Sequence, residues 1–160
     1  MKSIRFILPL IVLLNSCSSN SVYEDTKSFT DNTWKEKNTA VFNVKNIDTV
    51  SNYNINFILR NTNDYEFSSI YLIAKIIKPN KTVETDTLEY LMANPDGSWL
   101  GTGNSVKESW LAYKQNYKFD KTGDYTITVN QANRKNGSID GVKNLKGLTD
   151  IGIQITKSKK

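Results

Sequence analysis

The chain of 160 residues contains no histidine. Histidine is the commonest general base near neutral pH and the commonest metal ligand, so Ser-His-Asp and Cys-His catalysis and histidine-based zinc sites are excluded. Cysteine occurs once, at position 17. One thiol builds neither an internal disulfide nor a cysteine zinc cluster. Arginine is almost as scarce: beyond residue 16 only Arg60 and Arg134 remain. No arginine-rich or aromatic-basic module is present, so nucleic acid is not an expected partner. Repeats, low-complexity segments and convincing amphipathic helices are absent too. No apolar run approaches the roughly 20 residues of a membrane-spanning helix.

Two chemistries survive these exclusions, carboxylate-pair hydrolysis and calcium binding through oxygen ligands. Neither finds a constellation. Asp120-Lys121-Thr122-Gly123-Asp124 lacks the ligand count and spacing of a calcium loop. Glu84 and Asp86 alternate along a strand, which reads as two solvated side chains on one face, with Glu89 nearby. No catalytic residue, metal ligand or diffusible cofactor is therefore assigned.

What is present begins at the N-terminus. Lys2 and Arg5 precede the nine residues Phe6 to Leu14, apolar except for Pro9. This is the pattern of a signal peptide. It ends in Leu14-Asn15-Ser16-Cys17, a lipobox, with an aliphatic residue at −3, a small residue before the cut and a thiol at +1. Residues 1–16 are expected to be removed, and Cys17 to carry diacylglycerol and an N-acyl chain. Two or three chains hold a protein stably on a bilayer where one does not. Removing Lys2 and Arg5 from the 21 basic residues leaves 19 against 16 acidic, a net charge of +3. Residues 17–24 are read as the lipidated end and a flexible tether, and 25–160 as one domain. Ser18, where an Asp would favour the inner membrane, points to the outer membrane.

Beyond the tether the dominant hydrophobic period is two. Candidate strands are Ala40–Val44, Tyr53–Leu59, Ser69–Ile77, Val83–Tyr90, Val106–Leu111, Tyr113–Phe119, Asp124–Gln131 and Leu148–Ile155, with Trp99–Gly103 as a further short segment. Ser69–Ile77 is continuous enough to suggest burial on both faces. Asn94-Pro95-Asp96-Gly97 is a turn, because Pro presets φ and Gly accepts positive φ. About eight short strands without helices predict an all-β fold, a single antiparallel sandwich with Greek-key or jelly-roll connections. Trp34, Trp99 and Trp110 are weighed as a sugar-stacking platform against a role in closing the core, and the core role carries more weight. Trp99, Gly101 and Gly103 are read as shaping the fold, since glycines beside an aromatic let the chain turn tightly under the ring. Arg60, at the end of an apolar strand, and Arg134, in the polar loop Asn133 to Ser138, are candidates for a protein interface, with a structural ion pair as the alternative for each, of more weight for Arg60 than for Arg134.

In order along the chain stand the lipobox, Tyr53 to Asn61 ending in Leu-Arg-Asn, Tyr65-x-Phe-Ser-Ser-Ile-Tyr-Leu, Asp86-Thr-Leu-Glu-Tyr, Gly97-Ser-Trp-Leu-Gly-Thr-Gly, Gly123-x-Tyr followed by Asn130-Gln-Ala, and Asp150-Ile-Gly-Ile. Through these the chain resembles the gliding motility lipoprotein GldH family of the Bacteroidetes over nearly its whole length. It departs at Ala132-Asn133-Arg134, where a Met is expected before the arginine. The resemblance implies a non-catalytic envelope lipoprotein needed for gliding and linked to the type IX secretion apparatus, with other envelope proteins as partners. The alternative function is a carbohydrate-binding surface lipoprotein.

Overall fold

The computed structural model describes residues 20–159. Lipobox and signal segment lie outside them. Ten strands follow one another in the described residues: β1 (Ser21–Ser28), β2 (Thr33–Lys35), β3 (Ala40–Val44), β4 (Tyr53–Thr62), β5 (Ser69–Ile77), β6 (Val83–Leu91), β7 (Val106–Tyr117), β8 (Tyr125–Gln131), β9 (Asn144–Lys146) and β10 (Leu148–Lys157). Among the described residues the only helical piece is a 3-10 turn at Thr30–Asn32.

Two four-stranded antiparallel sheets are ordered β1-β10-β4-β7 and β3-β8-β5-β6, and β2 pairs with β9 apart from them. Setting that small pair aside and numbering the other eight strands in chain order, the sheets read 1-8-3-6 and 2-7-4-5. That is the jelly-roll order. Each strand presents alternate side chains inward, which is why β-branched and aromatic residues at period two build this fold. Ile55, Phe57 and Leu59 of β4, Ile151, Ile153 and Ile155 of β10, Ile70, Leu72 and Ile76 of β5, and Tyr125, Ile127 and Val129 of β8 form one buried core.

Both ends are plugged by aromatic rings. Where β1 begins, called here the tether end, Phe119 meets Tyr53, Tyr117 and Tyr125 edge-on at 5.4, 5.0 and 4.8 Å. At the far end, Trp34 stacks on Phe29 at 4.6 Å, and its indole donates to the Asn38 carbonyl at 2.7 Å. The β2–β9 pair sets Trp34 opposite Leu145, both buried, as a lid on that end of the core.

Four expectations need correction. β5 buries one face only, because in a two-layer fold the other side of the sheet meets solvent; Tyr71 and Lys75 stand exposed there. Val106–Leu111 and Tyr113–Phe119 belong to a single strand, β7, ending at Tyr117; register shifts opposite Ile55 interrupt its alternation, so it reads as two. Among the described residues β1 starts at Ser21, so residues 21–24 of the expected tether 17–24 belong to a strand. Trp99–Gly103 is not a strand but a loop held by isolated bridges, Ala93 to Trp99 and Thr102 to Glu108.

Glu84 and Asp86 are also not a solvated pair. They lie on the half-buried side of β6 and close the seam against β7. Tyr113 donates to Asp86 at 2.9 Å, Tyr117 donates to Glu84 at 3.2 Å, and Tyr90 donates to the Ala112 carbonyl at 2.8 Å. Lys114 pairs with Asp86 at 2.9 Å, and Lys78 with Glu84 at 2.8 Å. Burial raises the Asp86 carboxyl, but Lys114 and the Tyr113 hydroxyl more than offset it and hold it below the ordinary carboxylate range. Burial, then the carboxylates, push the Tyr113 and Tyr117 hydroxyls up; burial takes Tyr90 to about 12.

Candidate functional site

Two surfaces hold the residues singled out above. The first is the outward face of the β1-β10-β4-β7 sheet. Cross-strand register aligns Ser28, Asp150, Arg60 and Glu108 in one row and Thr26, Gly152, Ile58 and Trp110 in the next. Arg60 is centred between acids: its Nε donates to Glu108 at 2.8 Å and its Nη1 to Asp150 at 2.9 Å. Desolvation works against the guanidinium charge, but the two carboxylates outweigh it and raise its pKa above the ordinary value. Thr149 adds a hydrogen bond to Asp150 at 2.8 Å, and the Trp110 indole donates to Glu108 at 2.9 Å. Arg60 thus occupies the ion pair weighed as its alternative. Trp110 projects from the same face with 54% of its surface exposed.

The three tryptophans do not assemble. Trp34 is wholly buried, Trp99 is half-buried beside Tyr65 with ring centroids 6.2 Å apart, and Trp110 stands alone on the sheet face. No coplanar pair lines a groove for a sugar, and closing the core falls to Trp34 rather than to Trp110.

The second surface is the far end, where the loops 63–68, 92–105 and 132–143 meet. Its organiser is Asn133, a buried polar residue that period-two reading assigns to a loop. Asn133 Oδ1 accepts from the Tyr71 N–H at 2.9 Å, and its Nδ2 donates to the Ser69 carbonyl at 3.1 Å and to the Tyr65 hydroxyl at 3.3 Å. With Asn133 pinned inward, Arg134 turns outward. It is exposed, forms no ion pair among the described residues, and lines a cleft of 470 Å³ with Glu66, Phe67 and Tyr71. The inward parity of β8 runs Tyr125, Ile127, Val129, Gln131 and continues to Asn133; that continuation was the available signal, masked by the polarity of the residues after it.

Glycine geometry fixes the neighbouring loops. A Cβ on Gly101 would stand 2.7 Å from Ser109 Oγ, and Gly103 has φ +125° with a Cβ colliding with the Val106 carbonyl. Both approaches are to β7, so these glycines seat the Trp99 loop on the sheet, and the Trp99 indole donates to Asn63 at 3.1 Å. Gly147 is closed in on more sides, with φ +80° and a Cβ that would collide with the backbone of both Asp64 and Tyr65. Among the described residues no group of three or more carboxylate or thiol side chains is placed to hold a metal ion. Asp120 of the 120–124 segment pairs instead with Lys78 at 3.0 Å.

Residues 21–155 match the family model described as GldH lipoprotein. A gliding motility lipoprotein GldH homolog of Christiangramia forsetii is 42% identical over 157 residues, covering 98% of this chain and 96% of that protein. The gliding motility lipoprotein GldH of Flavobacterium johnsoniae is 38% identical over 155 residues, covering 96% of each. Among solved structures, the VP2 subviral particle of infectious bursal disease virus covers 93% of this chain and 38% of its own, at 17% identity and a TM-score of 0.34. A likeness at that level bears on nothing further.

Proposed function

Since the chain belongs to the GldH lipoprotein family, we propose that it is a non-catalytic component of the gliding machinery. In this reading diacylglycerol and N-acyl chains on Cys17 anchor it to the outer membrane. It acts through protein contacts with envelope proteins of the gliding and type IX secretion apparatus.

One observation carries the reading. The start of β1, four residues after Cys17, and the Arg134 cleft lie at opposite ends of the sandwich, separated by strands as long as the ten residues of β4. At about 3.3 Å per residue that is roughly 30 Å. An anchored domain of this shape carries Arg134, Phe67 and Tyr71 at the end opposite its anchor. Unpaired arginine beside partly exposed aromatic rings is the composition enriched in protein interfaces.

Affinity purification of the lipidated protein from envelopes, with co-purified proteins identified by mass spectrometry, tests this. Arg134→Ala is expected to lose a partner with its melting temperature unchanged. Retention of every partner by that variant would remove the cleft from the working surface. Retention of the Cys17→Ala chain on membranes without a bound partner would remove the lipid anchor.

A further inference from the structure

The topology places the lysines unequally. At the tether end stand the loops 45–52, 78–82 and 118–124 and the residues following β10. Lys78 and Lys157 are neutralised there, the first by Glu84 and Asp120 and the second by Asp48 at 3.0 Å. Lys45, Lys81, Lys118, Lys121 and Lys159 are exposed and have no ion-pair partner among the described residues. With the two paired lysines counted, this end carries seven lysines against four carboxylates, Asp48, Glu84, Asp120 and Asp124, an excess of three positive charges. The far-end segments, by contrast, balance six basic residues (Lys35, Lys37, Arg134, Lys135, Lys143, Lys146) against six acidic ones (Asp31, Glu36, Asp64, Glu66, Asp96, Asp140).

Position makes this asymmetry meaningful. Ser21 is already paired with Thr156, so only Ser18, Ser19 and Asn20 lie between the lipid-bearing Cys17 and the sheet. Four residues reach at most about 14 Å even when fully extended. Ser21 is therefore held within about two Debye lengths, about 8 Å each at physiological salt, of the lipid headgroups, and the lysines of the tether end come as close when the domain stands on that end. Val50, 86% exposed in the 45–52 loop at the same end, is an apolar side chain suited to the headgroup boundary.

We infer that the tether end is a docking surface for the phosphates of the lipid headgroups in the bilayer that holds the anchor, so that the domain stands upright rather than swinging on its tether. Each lysine brought to an anionic surface favours the seated orientation about fivefold. This rests on the lipid anchor proposed above and goes beyond it, because an acyl anchor alone leaves orientation free.

The test is hydrogen exchange on the lipidated protein, reconstituted in vesicles of phosphatidylcholine alone and of phosphatidylcholine mixed with phosphatidylglycerol. A second protein carries Lys45→Gln, Lys81→Gln, Lys118→Gln and Lys121→Gln, with its fold checked by melting temperature. On anionic vesicles the wild-type loops 45–52, 78–82 and 118–124 are expected to exchange more slowly than on neutral ones, while the loops around Arg134 do not change. The difference is expected to vanish in the variant and in high salt, with both proteins still floating with the vesicles. Equal exchange on the two vesicle types, with flotation intact, overturns the docking surface and spares the anchor. Protection that persists undiminished in the variant overturns it as well. Failure to float with either vesicle removes the anchor and the inference together.

Discussion

Arg60→Ala measures whether the central arginine belongs to the fold or to a partner. The side chain bridges Glu108 and Asp150 across three strands, but it is about one-third exposed, as is Glu108, and only Asp150 is well covered. Solvent screening limits each such pair to about 0.2–1 kcal/mol. Once the guanidinium is gone, the two carboxylates face each other across roughly 10 Å, two strand spacings. At that distance their repulsion in water is under about 0.5 kcal/mol before salt reduces it further. Together the two pairs and this repulsion cost about 1–2 kcal/mol, a fall of roughly 2–8 °C in melting temperature for a domain of this size. Urea unfolding at low and high salt is the assay, and the loss is expected to shrink as salt rises. A double-mutant cycle with Glu108→Ala should give a coupling of about 0.5–1 kcal/mol. Stability unchanged at both salt concentrations, accompanied by loss of a co-purifying protein, would refute the ion-pair account and return Arg60 to the interface.

Three further outcomes follow from the same geometry. Trp34→Ala, which empties a fully buried site under the β2–β9 pair, should cost about 3–5 kcal/mol, whereas exposed Trp110→Ala should stay within about 0.5 kcal/mol in the same urea titration. Gly147→Ala combines a positive φ with a Cβ driven into the Tyr65 backbone and should cost about 2–5 kcal/mol; thermal melting checks it, and a wild-type curve would contradict the packing described. With no histidine, stability should be flat through the neutral range. Asp25 and Asp86 have folded pKa values below their ordinary ones, so their contribution is present above about pH 4 and lost as pH falls through the folded values. Tyr113 and Tyr117 are raised, so theirs is present below about pH 10 and lost above it. A stability step near pH 6.5, the ordinary histidine range, would contradict this account.

What the sequence determined by itself is whatever depends on short-range order. Alternation along Tyr53–Leu59, Asp124–Gln131 and Leu148–Ile155 settled which side chains face the core, because a strand's period of two is a local property. The Asn94–Gly97 turn was legible for the same reason: Gly97 has φ +84° and donates its N–H to Asn94 O at 2.9 Å. The absence of histidine excluded whole classes of chemistry without any coordinates.

Tertiary structure decided everything that depends on which strand lies beside which. Arg60 reads alone as a cation at a strand end; only register sets Glu108 and Asp150 on its two sides, 48 and 90 residues away in the chain. Glu84 and Asp86 read as solvated until the edge of one sheet meets Tyr113 and Tyr117 on the edge of the other. Asn133 reads as loop because its partners, Tyr65, Ser69 and Tyr71, arrive from β5 and the loop before it. The charge asymmetry is invisible along the chain, where lysines are scattered from 45 to 159. It exists because a jelly roll returns every second connection to the same end, so loops distant in sequence share the end from which the tether leaves.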